Sequence, residues 1–174
     1  METKGLILLA DADGRMAPVM DLALHHLGLP FQLARVPNGK EVVRYLQGER
    51  RQMEAVFPFP VLVLLDLEVK RVDAVAVLRW IRKAPEARHL PVVVLAKSVF
   101  DPNIKRAYAA GANSFLLKAY GYSALLAQLR EIDEQWLRKE RTAGKEPPKK
   151  RSRRRLSIQH PTSNIQHPTS NIEP

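Results

Sequence analysis

Val61-Leu62-Val63-Leu64-Leu65-Asp66-Leu67 decides how this chain reads, because five consecutive apolar residues deliver a carboxylate, Asp66, to the end of the run. A short continuous apolar run of this kind reads as a buried strand. An unpaired carboxylate is expensive to bury, so an acid closing such a strand marks a functional edge. Working outward, Leu6-Ile7-Leu8-Leu9-Ala10 ends the same way, in Asp11-Ala12-Asp13. A third run, Ser114-Phe115-Leu116-Leu117, ends in Lys118. If these three strands are parallel neighbours, two acids and a lysine share one pocket.

Strand-like and helix-like segments alternate along the body. Strands are expected at 6–10, 31–36, 61–65, 92–95 and 114–117, with helical spacing between them at 18–27, 40–47, 73–82 and 101–110. The last of these opens with Asp101-Pro102, a capping acid before a first-turn proline, and stops at Gly111. A final helix over 123–138 places Leu125, Leu126, Leu129, Ile132 and Trp136 on one stripe, with Arg130, Glu131 and Glu134 outside it. Trp80 lies beside the stripe of Val77, Leu78 and Ile81 and is weighed as an interface marker. Five strands alternating with helices imply an α/β doubly wound parallel sheet covered on both faces, and right-handed crossovers leave few topologies. The flavodoxin-like order 2-1-3-4-5 is the expected one. Ligands of such sheets bind outside the carboxyl ends of the strands, where Asp11, Asp66 and Lys118 all fall.

Composition bounds the rest. A chain of 174 residues that is 45% hydrophobic buries one sizeable core, expected over residues 5–140. There is no cysteine, so disulfides and thiolate metal sites are excluded and a cytoplasmic protein is expected. No apolar run approaches the roughly 18 residues of a membrane span, and only six apolar-type residues precede Asp11, too few for a secretory core. The chain is read as neither spanning nor exported.

The formal charge of +10 is unevenly placed. Residues 1–140 hold 20 Lys and Arg against 16 Asp and Glu, whereas residues 141–174 hold 8 against 2, so the short tail carries most of the excess. Its core is Lys149-Lys150-Arg151-Ser152-Arg153-Arg154-Arg155. Beyond it Ile158-Gln159-His160-Pro161-Thr162-Ser163-Asn164 recurs unchanged as residues 165–171. A proline in every unit forbids a continuous helix, so this seven-residue period is no coiled coil, and 141–174 reads as a disordered extension. His160 and His167 on such a segment are a weak metal signal.

With these residues in place the family resemblance becomes specific. Asp11 after the first strand, residues 61–67 around Asp66, Leu90-Pro91-Val92-Val93-Val94-Leu95, Tyr108-Ala109-Ala110-Gly111-Ala112-Asn113 and Lys118 together resemble a receiver domain of the two-component response regulators, over residues 5–136. Within that family the chain is most similar to the single-domain type that partners phytochrome-like sensor kinases. The resemblance implies Asp66 as phosphoacceptor, Lys118 as ligand of the phosphoryl oxygens, and an acidic pair that helps hold Mg²⁺. Phosphoryl transfer depends mainly on in-line positioning and neutralisation of oxygen charge, which such a set supplies. The implied metal ligands are Asp11, Asp66 and, through backbone or side chain, Glu68, with Asp13 as a rescue ligand. The implied partner is a sensor histidine kinase or another signalling protein, met through the first helix or through the face of the fourth and fifth helices. That second face is where members of the family often form a homodimer.

Departures from the pattern are as informative. The second acid of the pair is Ala12, and the hydroxyl that ends the fourth strand is Ala96, followed by Lys97. The family's proline and glycine after the acceptor become Lys70 and Ala74, and the proline after the lysine becomes Ala119. Phe115 keeps the aromatic switch position. Since changing a group that only hydrogen-bonds a metal ligand costs about 10 to 100-fold in metal affinity, losing a carboxylate ligand costs at least that. Losing a hydrogen bond to a charged group removes about 1.5 to 3 kcal/mol. That is a large share of the roughly 5.5 kcal/mol needed to drive a switch from 1:99 to 99:1. The expectation is a degenerate pocket, a pseudo-receiver. Asp13 swinging in, a one-residue slip of the first strand or Glu68 would rescue the metal. The ammonium of Lys70 or Lys97 in the metal's place is the other reading of those two residues, against simple solvated loop charges.

Three function classes follow. The first is a receiver-like signalling module in two-component phosphorelay transduction, acting by protein contact with weak or lost phosphorylation. The alternative is nucleic-acid binding through Lys149, Lys150, Arg151, Arg153, Arg154 and Arg155, which lack interleaved aromatics. An enzyme binding flavin or nucleotide would need a phosphate loop where Asp13-Gly14-Arg15-Met16-Ala17-Pro18 stands, so no enzymatic activity is expected.

Overall fold

A computed structural model of the chain describes residues 5–48, 58–118 and 121–138. In order, the elements are β1 (Gly5–Ala10), α1 (Met16–His26), β2 (Phe31–Val36), α2 (Gly39–Leu46), β3 (Leu62–Asp66), α3 (Ala74–Lys83), β4 (Val92–Ala96), α4 (Asn103–Ala109), β5 (Ser114–Leu117) and α5 (Tyr122–Ile132). The strands form one five-stranded sheet in the order β2-β1-β3-β4-β5, and every pair is parallel. This is the expected flavodoxin-like topology. No helix among the described residues is long and apolar enough to cross a membrane.

Each of the three central strands buries both faces, which explains why their runs are continuously apolar rather than alternating. Leu6, Leu8, Val63, Leu65, Val92 and Val94 belong to one core cluster, with Val42, Leu78 and Ile81 from α2 and α3. Their neighbours Ile7, Leu9, Leu62, Leu64, Val93 and Leu95 belong to the other, with Met20 and Leu24 from α1 and Leu125 and Leu129 from α5. Two helix starts follow side-chain caps. Asn38 Oδ1 accepts from the Glu41 N–H at 3.1 Å to open α2, and Asp73 Oδ1 accepts from the Ala76 N–H at 2.9 Å to open α3.

Three boundaries differ from expectation by two residues or more, for identifiable reasons. Helix α1 starts at Met16, two residues before Pro18, because a proline in the first turn sacrifices only an N–H that has no intrahelical partner. Helix α4 starts at Asn103, since the Asp101 carboxylate closes a local turn on the Asn103 N–H at 2.8 Å instead of capping a helix at Asp101. The last helix is not α-helical to 138: α5 ends at Ile132 and one π turn, Asp133–Leu137, follows. Ile132 and Leu137 are five residues apart, the spacing that an i→i+5 turn brings onto one face, and Leu137 is fully buried. Trp136, expected on the buried stripe, is half-buried at its edge. Trp80 likewise is half-buried and packs against the core.

One side chain joins three segments far from the strand-end acids. Arg82, in the last turn of α3, donates through Nε to the Gly111 carbonyl at 2.9 Å and through Nη1 to the Arg88 and Leu90 carbonyls at 3.0 and 2.9 Å. Its Nη2 donates to Asn113 Oδ1 at 2.7 Å, which also accepts from the Val92 N–H at 2.8 Å. Gly111 stands at φ +102° against the Arg82 stem, so both its conformation and its lack of a side chain are required there.

Candidate functional site

Strand register places the two strand-end acids side by side. Ala10 pairs with Leu65, so Asp11 and Asp66 follow at the same level of adjacent strands. Ala96 pairs with Leu117 at the sheet's far side, so Lys97 and Lys118 leave together. Asp11 and Asp66 are both buried, 4% and 3% exposed, which an acid tolerates only with partners.

For Asp66 the partners are Lys118 and a backbone amide. Lys118 Nζ lies 2.7 Å from Asp66 Oδ2, and the Glu68 N–H donates to Asp66 Oδ1 at 2.9 Å. Lys118 Nζ also reaches Glu68 Oε2 at 3.0 Å, and Glu68 Oε1 meets Lys97 Nζ at 2.8 Å. Asp66, Lys118, Glu68 and Lys97 therefore form one ion-pair chain across the ends of β3, β4 and β5. Lys97 is exposed and turned to Glu68, and Lys70 is exposed on the loop after β3.

Asp11 is engaged elsewhere. Its Oδ2 accepts from the N–H groups of Met16 and Ala17 at 3.1 and 3.3 Å, which stabilises the positive end of α1. Arg35, from β2, donates to the Asp11 carbonyl through Nε at 3.1 Å and Nη2 at 2.7 Å, with Nε 3.8 Å from Asp11 Oδ2. Sequence reasoning missed Arg35, whose only signal is its place at the end of a strand beside the first. Asp13 is exposed at the rim, where its carboxylate accepts from the Arg15 N–H at 3.0 Å and pairs with Arg15 Nε at 3.2 Å. The Arg15 amide holds the Asp13 carboxyl below its usual range. Ala96 is buried at the end of β4, and half-buried Phe115 packs edge-on to Tyr108 with ring centroids 6.2 Å apart. Lys149 to Arg155, His160, His167 and Ala119 lie outside the described residues.

The chemistry of the donor set decides whether it fits a divalent cation. Mg²⁺ requires several hard oxygen ligands in octahedral array. Here Asp66 Oδ2 is paired with an ammonium, Asp11 Oδ2 accepts two amides, and position 12 offers a methyl group. Among the described residues no three His, Cys, Asp or Glu side chains converge as metal ligands. The Asp11 and Asp66 carboxylates are the hard oxygen donors at this edge, and each already has a hydrogen-bond partner within the protein.

Titration of the ion-pair chain follows from its geometry. Burial works to lower the Lys118 ammonium, but the hydrogen bonds and charges of Asp66 and Glu68 outweigh it, holding it above the ordinary 10.5. A raised ammonium contributes stability that is fully present below its unfolded value and is lost as pH rises through the folded one. Lys97 first, then Lys118, holds the Glu68 carboxyl below its ordinary 4.5, a contribution lost on acidification and small because Glu68 is exposed. In thermal denaturation, the Tm gap between the unaltered chain and Lys118→Met should be constant from about pH 6 to pH 10 and close at higher pH. A gap unchanged in strong alkali would show that the ion pair contributes nothing.

Three comparisons bear on this arrangement. A family model described as response regulator receiver domain matches residues 7–130. The chain is similar to the probable methanogenesis regulatory protein FilR2 of Methanothrix harundinacea, with 33% identity over 142 residues, 80% of this chain and 88% of that protein. It is similar in structure to the phosphorylated cyanobacterial phytochrome response regulator RcpA, with TM-score 0.67 and 29% identity, covering 76% of this chain and 94% of that one. It is also similar to the Mn²⁺-bound form of response regulator Rcp1, with TM-score 0.65 and 26% identity over the same shares, 76% and 94%. Rcp1 is a Synechocystis protein.

Proposed function

This chain belongs to the response regulator receiver domain family, and from that membership we propose that it is a degenerate receiver that signals by protein contact, with weak or lost phosphorylation of Asp66. The observation carrying the proposal is the 2.7 Å pair of Asp66 and Lys118 at the strand ends, flanked by alanines at positions 12 and 96. The pair supports Asp66 as acceptor, because a lysine already on its carboxylate is where phosphoryl oxygens need a cation. The alanines support the degeneration. Ala12 leaves Asp11, Asp66 and Glu68, the last through its backbone or side chain, as a short donor set for Mg²⁺, with Asp13 at the rim. Binding should be at least about 10 to 100-fold weaker than with a full set. Ala96 offers no hydroxyl to a phosphoryl oxygen, and Phe115 is left as the remaining switch-position group.

A sensor histidine kinase is the proposed partner, in the cytoplasm. Val19 and Leu22, 44% and 61% exposed on α1, support a protein contact on that helix. Exposed Phe100, Tyr108 and Leu117, on or beside α4 and β5, support homodimer contact on the other face.

Intact-mass spectrometry after incubation with Mg²⁺ and acetyl phosphate tests the acceptor, with Asp66→Ala alongside. The expected result is a small phosphoryl adduct, or one seen only at high Mg²⁺, that vanishes in Asp66→Ala. Full, rapid labelling at low Mg²⁺ would refute the degenerate pocket, and an adduct that persists in the variant would refute Asp66.

A further inference from the structure

A cleft of about 380 Å³ opens between α1 and α5, beside the strand-end acids, with Lys118 on its lining. Its size falls in the range of small-molecule sites. The floor is apolar, made by Met20, Leu95, Leu116, Leu125, Leu129 and Ile132. The mouth is charged, with Arg15, Lys97 and Lys118 facing Asp11 and Asp13. Gly121 lies on its margin, and a Cβ added there would meet nothing within 4 Å. Helices α1 and α5 are tied at their ends, where the Tyr122 hydroxyl meets His26 Nδ1 at 3.3 Å. An apolar-walled void forfeits the dispersion contacts of its lining, and an occupant restores them.

Hydrogen-bond capacity at the mouth selects the occupant's head group. Each acid is already engaged within the protein: Asp11 Oδ2 accepts two helix amides, and each Asp13 oxygen contacts Arg15. The cations have donors left over. An ammonium has three donors, and among the described residues Lys97 uses one, on Glu68, while Lys118 uses two, on Asp66 and Glu68. Arg15 engages Asp13 through Nε, leaving its terminal nitrogens for an acceptor. The surplus is on the donor side, so the complementary head is anionic.

We propose that the α1–α5 cleft binds a small amphipathic anion, a compact apolar body bearing one acidic group, with the body on Met20, Leu125 and Leu129 and the acid at Lys97 and Arg15. The site does not depend on phosphorylation of Asp66. Because the cleft is lined by the helix expected to meet the kinase and by Lys118, an occupant there bears on both the docking surface and the acceptor.

The test is fluorescence titration of the full chain with two probes that share an apolar body. One is 8-anilinonaphthalene-1-sulfonate; the other is N-phenyl-1-naphthylamine, which lacks the sulfonate. Both should bind saturably at one site per chain, the sulfonate more tightly. Val19→Trp, an exposed position on the cleft wall where folding is not at stake, should weaken both by about ten-fold or more by filling the space. Lys97→Gln should weaken the sulfonate probe by about two- to five-fold and leave the neutral one unchanged. Absence of saturable binding, binding unaltered in Val19→Trp, which would put the dye on the basic tail or another surface, or equal loss of both probes in Lys97→Gln would each overturn the proposal. Loss of the mass adduct at Asp66 would leave these readouts untouched, so the two readings fail separately.

Discussion

Ala12→Asp combined with Ala96→Thr should convert weak labelling into efficient phosphorylation. Position 12 follows buried Asp11 in the β1–α1 loop, which Arg35 holds through the Asp11 and Ala12 carbonyls. A carboxylate there adds a hard oxygen donor beside Asp11 and Asp66, and the half-saturating Mg²⁺ concentration for acetyl phosphate labelling should fall by at least about ten-fold. Ala96→Thr places a hydroxyl at the end of β4, on the residue that pairs with Leu117 and precedes Lys97. A hydrogen bond to a charged phosphoryl oxygen is worth about 1.5 to 3 kcal/mol, roughly a ten-fold or larger gain in the population that switches. Labelling rate against Mg²⁺ concentration reads the first change, and the change in Trp80 and Trp136 fluorescence on phosphorylation reads the second. If neither moves, positions 12 and 96 are not the defects, and the alignment of the pocket on these residues is wrong.

Arg82→Ala should be the most destabilising single change outside the apolar core. It removes a charged donor from four acceptors, the carbonyls of Gly111, Arg88 and Leu90 and the Asn113 side chain. These belong to the α3–β4 and α4–β5 connections, so both loops lose the same anchor. Each charged hydrogen bond is worth about 1.5 to 3 kcal/mol in favourable settings, but two of the four are solvent-accessible, so a total near 3 kcal/mol is expected. For a domain of this size that lowers Tm by roughly 10 °C. Arg82→Lys should recover less than half, because a single ammonium cannot span a fork of acceptors in several directions. Denaturant unfolding of the three proteins checks this, and a lysine variant as stable as the unaltered chain would show that charge alone, not the geometry of the fork, matters there.

Much of the site is legible in the sequence because the costs involved are local. An acid at the end of a fully apolar run is expensive wherever the run folds, so Asp11 and Asp66 declare themselves, and parallel topology carries them and Lys118 to one edge. The partners of those acids are not legible. That Asp11 serves α1 and is gripped by Arg35, 24 residues away, depends on how β2 lies against β1. That Glu68 bridges Lys118 and Lys97 depends on loop geometry after three different strands. The helix ends depart from the periodic pattern where a local turn at Asp101 or a π turn after Ile132 competes successfully with the α-helical period.

Sequence by itself determined the five strands, their order and the acids and lysine at their ends, because burial cost and periodicity act residue by residue along the chain. Tertiary structure alone decided which charges pair, which loops Arg82 holds and where the α1–α5 cleft opens. Those contacts join residues dozens of positions apart, 29 for Arg82 with Gly111 and 50 for Lys118 with Glu68, and their distances follow from strand register and helix placement.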